Sequence, residues 1–466
     1  MQNNIDTVFK AQQLNKFNLR QTSAKARIEK LKSLKKAIEN FEEEIFRALQ
    51  TDLRKSKFET ALTELFFTYG EIEFAIKHLH EWLEPKPVDS VINNIFSTNK
   101  IYHEPKGVCL IIAPWNYPFQ LLMSPLISAI AAGNCVILKP SEISITTGKL
   151  IEKIIFNTFN VNEIACFNGD TEISQKLLAL PFDHIFFTGS TAVGKLVMEA
   201  ASKNLCSVTL ELGGKSPVII DETSNLKVSA EKIAWGKLVN AGQTCIAPDY
   251  VLIDEKKEAL FIDYYIEAVL KMFFNSDKKI NKESYGKIIN HKQFTRLTDL
   301  IKDAVLGGAE IAWGGESEEE DLTVWPTVLK NVIAENPVMQ QEIFGPILPI
   351  ITFKKLDEAI NFINTKDKPL ALYIFSSDNK NTEHIIKSTS SGGTCVNDVL
   401  IHISNPNLPF GGVNSSGMGN SHGIFGFKNF SHERAIVFQS KLGLTKMIYP
   451  PYEKKNSLLK WLKKIF

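Results

Sequence analysis

The chain is short of the features that mark the specialised classes of protein. Its six cysteines stand singly at positions 109, 135, 166, 206, 245 and 395. None has a partner at metal-site spacing, and six are too sparse for a disulfide framework, so a reducing, cytoplasmic setting and no metal are expected. Charge nearly cancels, 53 Lys and Arg against 52 Asp and Glu, a net of +1, which argues against a nucleic-acid binder. The long apolar run over 107–132 is interrupted by Pro114, Asn116, Pro118 and Pro125, which makes it a poor membrane span. The amino terminus has no basic region followed by an apolar core, so export is not expected. Internal repeats and low-complexity linkers are also missing. What is there is ordinary globular composition, 44% hydrophobic and 23% charged over 466 residues, too long for one core and expected to divide into two or three domains.

Periodicity supplies the elements. Ile28, Leu31, Leu34, Ile38, Phe41, Ile45 and Leu49 recur at steps of three and four, predicting one long amphipathic helix. A second helical stretch over 57–82 carries Phe66, Phe67, Tyr69 and Phe74, aromatics that pack or line a pocket, and stops before Pro85. Residues 88–103 alternate like a strand pair reaching another domain or subunit. Short apolar strands at 107–112, 135–138, 184–187 and 207–210 each lead into a loop and, in most cases, a helix, and a second α/β series follows residue 250. The fold class is therefore α/β. The acidic run 316–321 reads as a solvated loop. Leu458, Trp461, Leu462, Ile465 and Phe466 face away from Lys460, Lys463 and Lys464, a basic amphipathic end suited to an anionic membrane surface or to docking on the protein's own body.

Residues with chemical potential gather at the strand ends. Cys245 lies between Gly242 and Pro248, on a loop or helix start where backbone N–H groups point outward. A lone thiol is ordinarily a small buried hydrophobe, and it becomes a nucleophile only beside an oxyanion donor and a base. Asn116, between two prolines and beside Trp115 and Tyr117, is either such a neutral donor or a turn-stabilising amide. Glu211, followed by Gly213 and Gly214, is either a general base or a salt-bridged strand-end acid. Lys139 and Glu142 could bond a ribose diol, or be a surface lysine and a helix cap. The loop Gly189-Ser190-Thr191-Ala192-Val193-Gly194-Lys195 matches the first seven positions of the phosphate-cradling pattern, but Leu196 replaces the hydroxyl that holds magnesium. That disfavours nucleotide hydrolysis and leaves an anion site suited to a pyrophosphate, or a simple strand-to-helix turn. Glu342 and Phe344 could hold a second ribose and a flat ring, or form a capped turn and a core aromatic. The glycine-rich segment 409–419 is either a connector or an active-site wall.

In combination these segments resemble the aldehyde dehydrogenases over essentially the whole chain, and 240–250, 409–419 and Tyr449-Pro450-Pro451-Tyr452 resemble the class 3 branch, which includes fatty aldehyde dehydrogenase. The resemblance implies a Rossmann-type NAD(P)-binding domain (1–86 and 106–213), a second α/β catalytic domain (214–418), a small β oligomerisation element (87–105 and 432–445) and a tail (446–466). It implies Cys245 as nucleophile, Asn116 as oxyanion donor and Glu211 as the base that activates water. Trp115, Lys139, Glu142, Gly189, Ser190, Val193, Gly194, Leu212, Glu342 and Phe344 would hold the cofactor, and Tyr69, Tyr117, Thr244 and His422 would line the substrate pocket. Glu142 should repel a 2′-phosphate and Lys139 partly offset this, so NAD is expected with NADP tolerated. No Arg or Lys adjoins Cys245 to grip a carboxylate, so medium or long aliphatic and aromatic aldehydes fit. The implied assembly is a homodimer. The tail is shorter than the membrane anchors of the branch and permits at most peripheral contact. A CoA-acylating enzyme and a non-catalytic NAD-binding protein are the rival functions.

Overall fold

Strands that are apolar at every position, without polar alternation, must be covered on both faces. Val108–Ile112 has this character throughout, Cys135–Lys139 up to its terminal lysine and His184–Thr188 between its terminal histidine and threonine, and every residue of the three but Ile112 is buried. In the computed structural model, which describes residues 4–91, 94, 96–441 and 444–463, they lie side by side in a six-stranded sheet. Its order is Gly417–Met418, Ser207–Glu211, His184–Thr188, Val108–Ile112, Cys135–Lys139, Ile164–Cys166, parallel except for the first short strand. The period of two divides the side chains cleanly. Cys109, Ile111, Val136, Leu138 and Phe186 join the core under helices Ala24–Asn40, Glu42–Leu53 and Gln120–Ala132, whereas Val108, Leu110, Cys135, Ile137, Ile185 and Phe187 join that under Ile5–Arg20 and Thr191–Ser202. Strand order reverses around Val108–Ile112: the next strand in sequence, Cys135–Lys139, lies on one side and His184–Thr188 on the other. Such a switch point opens a crevice at the carboxyl edge.

A second, seven-stranded sheet runs Glu310–Trp313, Thr327–Lys330, Ile347–Phe353, Tyr250–Asp254, Pro217–Ile220, Ala371–Phe375, Gly393–Val396, with only its first pair antiparallel. The protein is thus α/β with two largely parallel sheets. A three-stranded antiparallel sheet, Lys86–Val88, Ser97–Pro105 and Ser431–Gln439, stands apart. Its edge strand exposes Val437 at 55% and Phe438 at 50%.

The helices depart from the sequence expectation in two places. The single helix predicted over 28–49 breaks at Phe41 (φ −105°, ψ 10°), because Glu42, Glu43 and Glu44 favour the positive first turn of a new helix, Glu42–Leu53. The stretch 57–82 is not one uniform helix: Lys57–Thr60 leads into a π-helical turn, Ala61–Leu65, before Phe66–Leu83. The acidic run is solvent-exposed over 316–320, as expected, and forms the turn of a small hairpin. Ser317–Glu318 pairs with Thr323–Val324, and Asp321 meets Arg54 at 3.1 Å. At the carboxyl end a short helix, Asn456–Leu462, exposes Leu459 and Trp461; Lys464, Ile465 and Phe466 of the predicted amphipathic face lie outside the described residues.

Candidate active site

The strand termini place the reactive side chains. Ile112 pairs with Lys139 and with Phe187, and Thr188 pairs with Glu211, so the loops carrying Asn116, Lys139, Gly189 and Glu211 all leave the same sheet edge. Cys245 packs against the core of the second sheet. It follows a tight turn in which Asn240 and Ala241 both take left-handed backbone angles (φ 54° and 51°) and Gly242 sits at φ +77°. A Cβ on Gly242 would stand 2.4 Å from the carbonyl carbon and oxygen of Gly345, so only glycine lets this turn rest on the Glu342 loop.

Asn116 is buried, and its Nδ2 donates to the main-chain oxygen of Gln243 at 3.0 Å. Among the described residues that is the only hydrogen bond of the amide group, so one N–H stays free, and Oδ1 has no partner. The Cys245 thiol is pushed up to about 12, first by burial and then by the carboxylates of Glu342 and Glu211, while the N–H groups of Cys245 and Ile246 oppose the rise. Both carboxyls are therefore near enough to the thiol for their charges to act on it, and the Cys245 and Ile246 N–H groups face it. Glu211 is pushed up to about 8, chiefly by burial. Among the described residues neither of its carboxyl oxygens makes a formed hydrogen bond; the Ser421 hydroxyl approaches and favours the charged form without closing one. Burial and Asp249 likewise push Glu342 up to about 8, against the Gly214 N–H that faces it. A Cβ on Gly213 would fall 2.1 Å from Glu342 Oε2, so this carboxyl fills the space beside the glycine turn after Glu211.

The glycine loop has the architecture of an anion site. Ser190 caps helix Thr191–Ser202, its side chain accepting from Val193 N, and Gly189 N donates to Glu211 O at 3.0 Å. Gly194 packs against the buried Leu212, where a Cβ would come within 2.6 Å. Val193 is exposed at the mouth. Lys139 is buried, donates to Pro140 O at 2.8 Å and stands 3.5 Å from the half-exposed Glu142; burial lowers its affinity for a proton and Glu142 restores part of it. The rings of Trp115 and Phe344 meet edge to face at 5.3 Å. A free helix amino terminus, a Lys–Glu pair and a flat aromatic edge on one crevice fit a dinucleotide.

Of the expected pocket residues, Tyr117 and Thr244 are bonded hydroxyl to hydroxyl at 2.6 Å, and His422 packs on Phe67 (5.2 Å) and Phe410 (5.3 Å). Tyr69 is a correction. Its hydroxyl donates to Glu42 Oε2 at 3.1 Å, and its ring joins the helical core. The periodicity of Phe66–Leu83 turns Phe66, Phe67, Gly70 and Phe74 instead toward a groove of about 660 Å³. Glu71, which also lines the groove, lies 3.6 Å from the buried His422, the neighbour of Ser421.

The sequence reasoning overlooked Lys55, Glu59, Glu64, Asn240 and Gln243, a buried polar group beneath Asn116. Charges on a helix face look solvated in sequence; their only signal was sharing a face with the core residues Leu65, Thr68 and Ile72.

Residues 2–436 match the aldehyde dehydrogenase family, and the chain belongs to that family. It is an NAD(P)-dependent aldehyde dehydrogenase, with class 3-like relatives. It is 46% identical over 445 residues to the 4,4′-diaponeurosporen-aldehyde dehydrogenase of Staphylococcus aureus, covering 95% of this chain and 96% of the relative. It is 45% identical over 427 residues to aldehyde dehydrogenase family 3 member A2 of Pongo abelii, covering 91% and 87%. The substrate-bound structure of a Staphylococcus aureus AldH superposes with a TM-score of 0.94 at 44% identity, covering 99% of each chain.

Proposed function

We propose that the protein oxidises apolar aldehydes to carboxylic acids through a thioester on Cys245. The observation that carries this is the hydrogen bond from Asn116 Nδ2 to Gln243 O at 3.0 Å, which ties a neutral donor with one free N–H to the loop of Cys245, whose thiol feels the charges of Glu342 and Glu211. A thiol near 12 is protonated at neutral pH, so its proton must first pass to a neighbouring base; the ionised fraction of a carboxyl near 8, small at pH 7 and growing above it, is the group that can take it. Sγ then attacks the aldehyde carbon, and Asn116 Nδ2 and the Cys245 N–H hold the oxygen that gains charge. Bound at the carboxyl edge, NAD(P) supplies the hydride acceptor. Hydride loss leaves the thioester. Glu211 takes a proton from water, and the resulting hydroxide displaces Sγ to release the acid.

Ser190, Gly189 and the amino terminus of Thr191–Ser202 would cradle the pyrophosphate, with Lys139 and Glu142 on one ribose and Glu342 and Phe344 on the second ribose and the ring. Glu142 supports a preference for NAD over NADP. A mouse relative, 43% identical, is named dimeric and NADP-preferring, so both the cofactor preference and a homodimer here are proposals. The apolar edge strand Ser431–Gln439 supports such a dimer, and the exposed Leu459 and Trp461 support weak contact with a membrane surface.

Aromatic groove residues support medium or long aliphatic and aromatic aldehydes as substrates. The test is reduced-cofactor formation across an aldehyde chain-length series, with and without CoA. Acid product with efficiency rising with chain length is the expected result; a strict CoA requirement, with acyl-CoA as product, would exclude hydrolysis by Glu211.

A further inference from the structure

Beneath the oxyanion donor lies a pair of charges that the chemistry above does not use. Lys55 and Glu64 are completely buried, and Lys55 Nζ donates to Glu64 Oε1 at 2.6 Å. The remaining capacity of both groups is directed at one segment. Lys55 Nζ also donates to the main-chain oxygen of Asn116 at 3.0 Å and lies 3.8 Å from the centre of the Tyr117 ring. Glu64 Oε2 accepts from Phe119 N at 3.1 Å and Gln120 N at 2.8 Å, the amino terminus of helix Gln120–Ala132.

Asn240 Nδ2 binds the same Asn116 oxygen at 2.8 Å and also Gln243 O at 3.1 Å, the acceptor of the Asn116 side chain. Glu59 Oε1 in turn holds Asn240 N at 2.9 Å. The π turn Ala61–Leu65 bears Glu64 on its inner side and Leu62, at the groove, on its outer side.

For stability alone a buried ion pair is a poor choice, since apolar residues of similar size serve as well or better. What apolar residues cannot supply is a donor to Asn116 O and an acceptor for the two amides just beyond it. We propose that Lys55 and Glu64 are positioning residues: the pair clamps residues 116–120 from below so that the Asn116 amide stays aimed at the aldehyde oxygen on Cys245. This rests on Asn116 being the oxyanion donor.

The test uses the full-length enzyme loaded with NAD and a saturating aldehyde, and reads the rate of the pre-steady-state NADH burst. Lys55→Met strands the Glu64 charge and should destabilise strongly, whereas the doubly neutral Lys55→Met/Glu64→Gln should regain most of the lost urea midpoint. In that double variant the burst should still be slowed roughly 10- to 100-fold, less than or equal to the loss of a whole oxyanion donor. The NAD dissociation constant and the rate of Cys245 alkylation by iodoacetamide should stay within about twofold. A wild-type burst in the stable double variant overturns the proposal, and so does a parallel collapse of NAD binding and alkylation. If the double variant does not accumulate, Glu64→Gln alone should slow the burst roughly 3- to 10-fold, and an unchanged burst there is equally decisive. Asn116→Ala separates the premises. If it leaves the burst intact, the oxyanion assignment fails; if it slows the burst and the pair variants do not, only the positioning role fails.

Discussion

The side-chain amide of Asn116 donates to the main-chain oxygen of Gln243 at 3.0 Å, two residues before Cys245. With the Asn240 bond to Asn116 O and the Tyr117–Thr244 hydroxyl pair, this hydrogen bond fixes a loop of the six-stranded sheet against the thiol loop. It engages one N–H of the amide and leaves the second unbonded among the described residues.

From this geometry Cys245→Ala should abolish aldehyde oxidation. Glu211→Gln should preserve a stoichiometric burst of reduced cofactor and then turn over at least about 100-fold more slowly, because water activation comes after hydride loss. Rapid-quench and stopped-flow traces distinguish the two variants; a glutamine variant without a burst would remove the separate hydrolytic role of Glu211.

The deacylation rate should rise with pH toward a plateau above about 8, since Glu211 must be unprotonated to take the proton of water. Steady-state turnover with a substrate limited by deacylation is the measurement. The limb should vanish in Glu211→Gln.

Stability should run the other way. Glu211 and Glu342 are raised from the ordinary 4.5 to about 8 in the folded protein. Below 4.5 both states carry the protons; between 4.5 and 8 the unfolded chain has released them and the folded one has not, so stability falls as pH rises, by up to about 1.4 kcal/mol per pH unit for each proton. Urea midpoints of the cofactor-free enzyme from pH 5 to pH 8 should show this decline. Glu342→Gln should flatten it.

Gly242→Ala should cost about 2–4 kcal/mol, because the added Cβ meets backbone atoms of Gly345 and the φ of +77° disfavours any side chain. Thermal unfolding is the check, and wild-type stability would show that the two loops part easily.

Phe67→Ala should lower kcat/KM roughly 10- to 100-fold for a long aliphatic aldehyde and hardly change it for propanal, in line with the contribution of one buried aromatic ring. Equal losses on both substrates would mean that the groove does not hold the chain. Glu142→Gln should improve NADP use relative to NAD by roughly five- to tenfold, by removing a like charge from the 2′-phosphate.

Much was legible in the chain itself, and for a definite reason. Uninterrupted apolar strands such as Val108–Ile112 encode two-sided burial, Gly189 and Ser190 encode a helix start open to an anion, and Cys245 stands out because few residues share its chemistry. These are local signals, carried by spacing and residue type. Tertiary structure decided whatever depends on direction. Tyr69 and Phe67 are two residues apart on one helix, yet Tyr69 turns to Glu42 and Phe67 to the groove. Lys55 and Glu64 carry no local signal of burial, and the π turn and the start of Gln120–Ala132 enclose them. The raised proton affinities of Glu211, Glu342 and Cys245 likewise belong to no residue alone. They arise because packing the loops of the two sheets together removes water from around three ionisable groups at once.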